Sequence, residues 1–236
     1  VKYHCTILLP AYNEENSVVP VIEEIKEQLS EFEGPNEILV VDDGSTDKTS
    51  QRLSSIKGIR LITHPTNCGY GASIKTGVKH ANGDKILLMD ADSSYPVEKI
   101  RRMIRESKQY DMVVGARKGF HLYHQIGRGI MRYLFKVAAS IFLGTWIQDL
   151  NSGMRIIDAK LFQKYVHLLP DGFSASSTLT SIFIREKHSI HYVDIPYRAR
   201  TGISKLNVVL DGLRFFRYIL FDLKKRPSKN DLPSDK

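Results

Sequence analysis

The sequence predicts an α/β protein: a mostly parallel, doubly wound sheet with helices on both faces, followed by amphipathic helices in the second half. Three observations predict it. Short apolar runs alternate with stretches of helical spacing through residues 3–115, the order expected of βαβ units. The runs are apolar without polar alternation, as in 86–89, which suits strands covered on both faces. Three of them close on polar loops rich in carboxylates, and ligands of open α/β sheets gather at the carboxyl ends of strands.

Each element follows from its residues. A first strand, 3–9, ends at Pro10, Ala11, Tyr12, Asn13 and Glu14. Val18, Val21, Ile22, Ile25 and Leu29 set a helix over 18–29 with an acidic outer face. Gly34 and Pro35 break the chain before a second strand, 37–41. That strand closes on Asp42, Asp43, Gly44, Ser45, Thr46 and Asp47. Ser45 or Thr46 is expected to cap the next short helix, with Asp47 near its positive end. A third strand covers 59–63, and the loop from Asn67 to Gly71 opens a helix over 72–81. The fourth strand, 85–89, runs directly into Asp90, Ala91 and Asp92. A helix over 97–109 and a strand over 112–115 complete the regular part.

After Arg117 the pattern changes. Residues 123–143 read as one long amphipathic helix. Ile126, Ile130, Leu134, Val137, Ile141 and Phe142 form its apolar stripe, while Arg128, Arg132 and Lys136 recur on another face. The stretch from Asp149 to Arg155 leads into an apolar pair and a short helix. Ser174 is expected to cap a helix over 174–186, and a terminal strand over 190–195 stops at Pro196. A second amphipathic helix covers 206–223, and 224–236 reads as a disordered tail.

The 236 residues suit one large domain or one domain with an extension. The net charge of +8 is unevenly spread. Residues 1–96 hold 9 basic and 14 acidic residues, a balance of −5, and 97–236 hold 25 and 12, a balance of +13. A basic second half points to phosphate, anionic lipid or nucleic acid. Two cysteines, Cys5 in a strand and Cys68 in a loop, make no disulfide or metal framework and fit a reducing compartment. No signal peptide is visible, and no uncharged run approaches the roughly 18 residues of a spanning helix.

Three motifs could carry chemistry. Asp90 and Asp92 are hard oxygen ligands one small residue apart, suited to a divalent cation shared with a diphosphate; the plain alternative is a polar turn that ends a strand. Asp42 could accept the ring N–H of a uracil or guanine, with Gly44 turning the backbone; the alternative is a cluster that caps a helix. Tyr12 could lie against base or ribose and Glu14 could accept from ribose hydroxyls; the alternative is an ordinary strand-to-helix loop. Taken together, the three close neighbouring parallel strands and converge on one sheet edge.

Taken with Asn67-x-Gly69-x-Gly71-Ala72 and Leu88-Met89-Asp90-Ala91-Asp92-x-Ser94-x-Pro96, these motifs closely resemble family-2 glycosyltransferases of the GT-A fold over roughly the first half of the chain. The resemblance implies inverting transfer from a UDP- or GDP-linked sugar with Mg²⁺ or Mn²⁺ as cofactor. It implies donor contacts from Pro10, Ala11, Tyr12, Glu14, Asp42, Asp90 and Ala91, and metal ligation by Asp90 and Asp92. The segments Asp149 to Arg155 and Arg200 to Lys205 resemble those of polyprenyl-phosphate sugar synthases, the dolichyl-phosphate mannose or glucose synthase group. In that group the second segment is expected to close over donor and acceptor phosphates. Asp92, Arg200 and Lys205 are then the residues expected to carry catalysis. Gly202 gives the loop freedom, Arg200 offers a bidentate fork and Lys205 a point charge; a basic surface turn is the alternative.

An anionic phosphate acceptor needs no strong general base, and Gly172 to Thr178 offers no carboxylate. Arg117, Arg128, Arg132 and Ser204 are the expected acceptor-phosphate contacts; interfacial arginines touching lipid headgroups are the alternative for Arg128 and Arg132. The mannose synthases usually place a Gln where this chain has Ser94, and Tyr95 replaces a small or basic residue. The amphipathic helices are expected to lie on a membrane surface, with core or oligomer contacts as the alternative. The expected organisation is 1–117 for nucleotide sugar, 118–205 for acceptor, 206–223 for the membrane-surface helix and 224–236 for the tail. The expected setting is peripheral, at the cytoplasmic face of a membrane, with a membrane-anchoring subunit or a homo-oligomer as possible partner. Two rival functions differ from it: the same fold serving a saccharide or glycerolipid acceptor, and a non-catalytic basic protein for membranes or nucleic acid. The acidic first half and the Asp90/Asp92 pair weigh against nucleic acid.

Overall fold

The structure is a computed structural model that describes residues 3–32, 34–118 and 126–196, with side chains over 4–32, 34–118 and 133–196. A seven-stranded sheet organises it, in the order β3-β2-β1-β4-β6-β5-β7. The strands are β1 (Tyr3–Ala11), β2 (Asn36–Asp42), β3 (Arg60–Thr63), β4 (Gly83–Leu88), β5 (Met112–Lys118), β6 (Arg155–Asp158) and β7 (Ile190–Pro196). Only β6 runs against the rest, pairing antiparallel with both β4 and β5. The expected mostly parallel sheet is therefore present, with one reversed strand near its middle.

Helices cover both faces because the central strands are apolar on both. Cys5, Ile7 and Leu9 of β1 join Ile38 and Val40 of β2 on one side, against α1 (Val18–Ser30) and α4 (Ile100–Glu106). Leu8, Leu39 and Leu88 join the other side. There they meet α3 (Tyr70–His80), α6 (Ala159–Tyr165), α7 (Ala175–Arg185) and the last turns of α5 (Ile126–Leu143). The short α2 (Thr49–Ser54) inserts Leu53 under α1. Each fully buried Leu or Ile contributes about 1.5–3 kcal/mol. Burial also pushes the Cys5 thiol up to about 12, so it behaves as a core residue.

Several expectations change. The apolar pair Ile156 and Ile157 is strand β6, held between Lys85–Leu88 and Met112–Val114. The helix expected over 97–109 is a single 3-10 turn, Val97–Lys99, followed by α4 ending at Glu106. Neither Ser45 nor Thr46 caps α2. Their hydroxyls accept instead from Asn13 N and Asn13 Nδ2 at 3.0 and 3.1 Å, and Asp47 accepts from Thr49 N at 2.9 Å. Ser174 occupies the N-cap of α7 without a side-chain bond. Arg200, Ser204, Lys205, the 206–223 helix and the tail lie outside the described residues, as do the side chains of Arg128 and Arg132.

The far edge of the sheet carries a buried polar knot. The Glu37 carboxylate accepts from Thr6 Oγ1 at 2.7 Å, from Asn82 N and Nδ2 at 3.0 Å each, and from Arg60. Burial would raise its pKa, but these bonds outweigh it and hold the carboxyl below its ordinary value. A depressed pKa stabilises the fold above the unfolded value of about 4.3 and loses that contribution as pH falls through the folded value. Glu37→Gln should therefore cost about 1–3 kcal/mol at neutral pH and flatten the acid limb. Urea midpoints of both proteins at neutral pH and near pH 3 test this; parallel pH profiles would refute it.

Candidate active site

Parallel strands deliver their ends to one edge, and the reversed strand delivers its beginning there. The loops after β1, β2 and β4 therefore meet the stretch that precedes β6, since Arg155 pairs with both Leu88 and Val114. The last pair of β5 and β7, Lys118 with Pro196, lies on the same edge. The chain thus enters the 197–236 stretch from the site's side of the sheet.

The loops after β1 and β2 are stitched into one surface. Beyond the two bonds already described, Thr46 N donates to Asn13 Oδ1 at 2.7 Å, Glu14 N to Thr49 Oγ1 at 2.8 Å and Lys48 N to Glu15 Oε2 at 3.1 Å. Asn13 adopts φ 54°, a left-handed turn that Asn tolerates. Tyr12 and Glu14 are half-buried, and Glu14 accepts from Ser17 Oγ at 3.0 Å. Asp42 is buried, with Oδ1 accepting from Ser45 N at 3.1 Å and Oδ2 from Ser50 Oγ at 2.5 Å. A carboxylate has about four acceptor positions, so these two bonds orient it without exhausting it. Gly44, at φ 68°, fits as expected: a Cβ there would stand 2.5 Å from the Thr66 backbone.

Asp43 holds the loop after β3. Its Oδ1 accepts from Cys68 N at 2.9 Å and meets His64 Nδ1 at 2.7 Å, and its Oδ2 accepts from Gly69 N at 2.8 Å. His64 Nε2 meets Thr76 Oγ1 at 2.9 Å. Asp43, His64 and Cys68 are close enough to suggest a metal triad, but the carboxylate is occupied by these donors.

The paired carboxylates follow β4. Asp92 is buried, and its Oδ1 accepts from Ser94 N at 3.0 Å and Ser94 Oγ at 2.5 Å. Ser93, at φ 62°, makes that tight return possible. Ser94 therefore steadies Asp92. Asp90 is half-buried and accepts from the Tyr70 hydroxyl at 2.8 Å. Burial, then the Asp90 charge, push the Tyr70 phenol well above its ordinary value, so it stays protonated and donates. Two carboxylates separated by buried Ala91 at a strand end are the hard oxygen set that Mg²⁺ or Mn²⁺ takes. The residues fit such a cation.

A third cluster backs them. Arg117, at the end of β5, grips Asp149 with Nε and Nη2 at 2.7 and 2.9 Å, and its N–H adds a bond of 3.2 Å. Burial works to raise Asp149, but the Arg117 guanidinium outweighs it and holds the carboxyl below the usual range. The Tyr95 hydroxyl accepts from Gly153 N at 2.6 Å; burial pushes that phenol up to about 12. Arg155 is wholly buried. Its guanidinium donates to the Ser152 carbonyl, to the Ser176 carbonyl at 2.9 Å and to Thr180 Oγ1 at 3.0 Å.

The structure thus brings Pro10, Ala11, Tyr12, Glu14, Asp42, Asp90, Ala91, Asp92 and Arg117 to one edge. Arg117, expected just past the sheet, lies within β5, one residue from its end, with its fork engaged by Asp149. Sequence reasoning gave no task to Asp43, Tyr70, Asp149 or Arg155. Tyr70 sits inside the quoted Gly69-x-Gly71 motif and Asp149 and Arg155 bound the second motif, so the signal was their place within motifs already singled out.

Exposed apolar residues mark α5 and the turn that follows it. Leu134, Ile141 (77% exposed), Phe142 and Trp146 (61%) face outward, and Lys136 Nζ lies 4.8 Å from the Trp146 ring. Of the expected stripe, Leu134, Ile141 and Phe142 are thus exposed and Val137 is half-buried, while Ala139 and Ile147 join the core. No helix among the described residues is long and apolar enough to cross a membrane.

A mostly parallel sheet with one reversed strand, two stitched loops and a carboxylate pair at one edge is the arrangement of the GT-A fold. The chain belongs to the family described as glycosyl transferase family 2, whose profile matches residues 6–166. It is 27% identical over 233 residues to an uncharacterized protein of Methanocaldococcus jannaschii, covering 92% of this chain and 89% of that one. It is 31% identical over 131 residues to the dolichyl-phosphate beta-glucosyltransferase ALG5C of Trichomonas vaginalis, covering 49% and 39%. Among solved structures it is similar to glucosyl-3-phosphoglycerate synthase from Mycobacterium tuberculosis in complex with Mn²⁺, UDP and glucosyl-3-phosphoglycerate. That likeness has a TM-score of 0.70 at 19% identity and covers 96% of this chain and 82% of that one. The chain thus spans well under half of the glucosyltransferase's length and most of the other two.

Proposed function

We propose that this glycosyltransferase moves a hexose from a UDP- or GDP-sugar to a polyprenyl or dolichyl phosphate at the cytoplasmic face of a membrane, as a peripheral protein. The observation that carries the acceptor is the exposed apolar surface of α5 and of the turn that follows it. Leu134, Ile141, Phe142 and Trp146, with Lys136 beside the indole, suit a lipid–water interface. Three further points support the reading. The stretch Gly172–Thr178 holds no carboxylate, as suits an acceptor already ionised. The relative from Trichomonas vaginalis is a dolichyl-phosphate glucosyltransferase. The free cysteines, Cys5 and Cys68, fit a reducing compartment.

In this reading Asp42, Pro10, Ala11, Tyr12 and Glu14 hold the nucleoside. Asp90 and Asp92 hold Mg²⁺ or Mn²⁺, which offsets charge on the departing diphosphate when bound. An acceptor phosphate oxygen attacks the anomeric carbon from the face opposite the diphosphate. The new C–O bond forms as the bond to the diphosphate breaks, and the configuration inverts. Arg117, Arg128, Arg132 and Ser204 bind the acceptor phosphate, while Arg200 and Lys205 close from the chain that leaves β7 on the site's edge. Arg117 meets the acceptor from its place against Asp149, and the pair also orders the Asp149–Arg155 stretch.

The test is to incubate the full chain with Mn²⁺, vesicles containing polyprenyl phosphate and a panel of labelled UDP- and GDP-sugars. The expected product is labelled lipid that mild acid releases as free sugar. Label in an acid-stable glycolipid or in a water-soluble glycoside would replace this acceptor with a glycerolipid or a saccharide.

A further inference from the structure

Asp90 is gripped from two sides by residues that the proposed reaction leaves without a task. On one side the Tyr70 hydroxyl donates to Oδ1 at 2.8 Å. On the other the Gly153 backbone lies so close that a Cβ there would stand 2.6 Å from Oδ2. Gly153 is itself fixed by its bond to the Tyr95 hydroxyl. The two contacts together set the plane of the carboxylate.

Tyr70 is anchored by the second half of the chain. It begins α3, and the next two residues, Gly71 and Ala72, donate their N–H groups to the Asp171 carbonyl at 2.6 and 3.2 Å. Lys75 pairs with Asp171 Oδ1 at 2.8 Å. The approach is so tight that a Cβ at Gly69 would stand 2.5 Å from the Asp171 carbonyl oxygen, and one at Gly71 would overlap that of Pro170. The Tyr70 ring stacks on Phe173 with centroids 5.8 Å apart and planes 18° apart.

We infer that Tyr70 is a positioning residue that fixes Asp90 for the divalent cation, and that its stack on Phe173 ties this carboxylate to the 170–173 segment. The inference rests on Asp90 being a metal ligand. A neutral phenol donor restrains rotation of the carboxylate while leaving its charge for the metal. Outer partners of metal ligands act in this way, and their loss typically weakens metal binding about 10- to 100-fold. Because the Tyr70 ring stacks on Phe173, a displacement of Phe173 in the second half would bear on the carboxylate in the first.

The test is Mn²⁺ binding by the full chain in saturating UDP, followed by electron paramagnetic resonance, with a melting curve for every variant. In Tyr70→Phe the Mn²⁺ dissociation constant is expected to rise about ten-fold with little change in melting temperature. Phe173→Leu keeps the hydroxyl and loosens its support, so a smaller rise in the same direction is expected. Asp90→Asn should bind Mn²⁺ more weakly than either. Wild-type affinity in Tyr70→Phe beside a loss in Asp90→Asn overturns the role of Tyr70 and leaves Asp90 as a ligand. Wild-type affinity in Asp90→Asn overturns the metal reading itself. In turnover, excess Mn²⁺ should restore Tyr70→Phe; activity lowered equally at all Mn²⁺ concentrations would mark a merely structural residue.

Discussion

Asp92→Asn should lower sugar transfer on the order of 10³-fold, the equivalent of about 4 kcal/mol in the barrier, while the melting temperature barely moves. The substitution keeps the shape of the side chain and the oxygen that accepts from Ser94 N and Oγ. The loop therefore retains its return at Ser93, and only the negative charge disappears. That charge is the part a hard cation requires. Transfer rates with labelled donor, measured with and without added Mn²⁺, give the answer. Activity within ten-fold of wild type, or activity indifferent to chelator in the unmodified protein, would remove Asp92 from metal binding.

Arg117→Leu should have the largest effect on stability, a loss of about 3–5 kcal/mol at neutral pH. It strands the Asp149 carboxylate, which is 11% exposed, without its ion-pair partner. The pH dependence should also reverse. In the native protein the Asp149 carboxyl is depressed, so its contribution is present above the unfolded pKa of about 3.9 and lost as pH falls through the folded value. Without Arg117, burial dominates and raises the carboxyl above the unfolded value. The penalty then stands at neutral pH and is relieved as acid protonates the group. Arg117→Leu/Asp149→Asn should recover most of the stability and little of the transfer activity. Denaturant midpoints across pH for the two variants test this; a single variant with wild-type pH dependence would show that the pair contributes nothing.

The strands whose ends build the site were legible because each is an apolar run long enough to name. Strands β1, β2 and β4 lie within a residue or two of their expected bounds at most ends. Strand β6 was not legible: Ile156 and Ile157 stand between Arg155 and Asp158, too short a run to show a period. Arg155 itself misleads, since a charged residue suggests the surface. Its burial depends on acceptors at Ser176 and Thr180, far along the chain. The same cause explains the misplaced caps. Ser45 and Thr46 are good local caps, but Asn13, from another loop, competes for them successfully. Motif residues could be located from sequence; the partners that hold them could not.

The reversed strand has a consequence for biogenesis. As the chain emerges from the ribosome, residues 3–88 can already pair as β3-β2-β1-β4. One margin of β4 then stays bare until Arg155–Asp158 arrives to cover it. An uncovered apolar margin of this kind invites self-association. The same arrival lays Asp149 and Gly153 beside the carboxylates. A nascent or truncated chain that lacks β6 is thus both sticky and without a finished catalytic edge, and protection from aggregation coincides with the birth of the site.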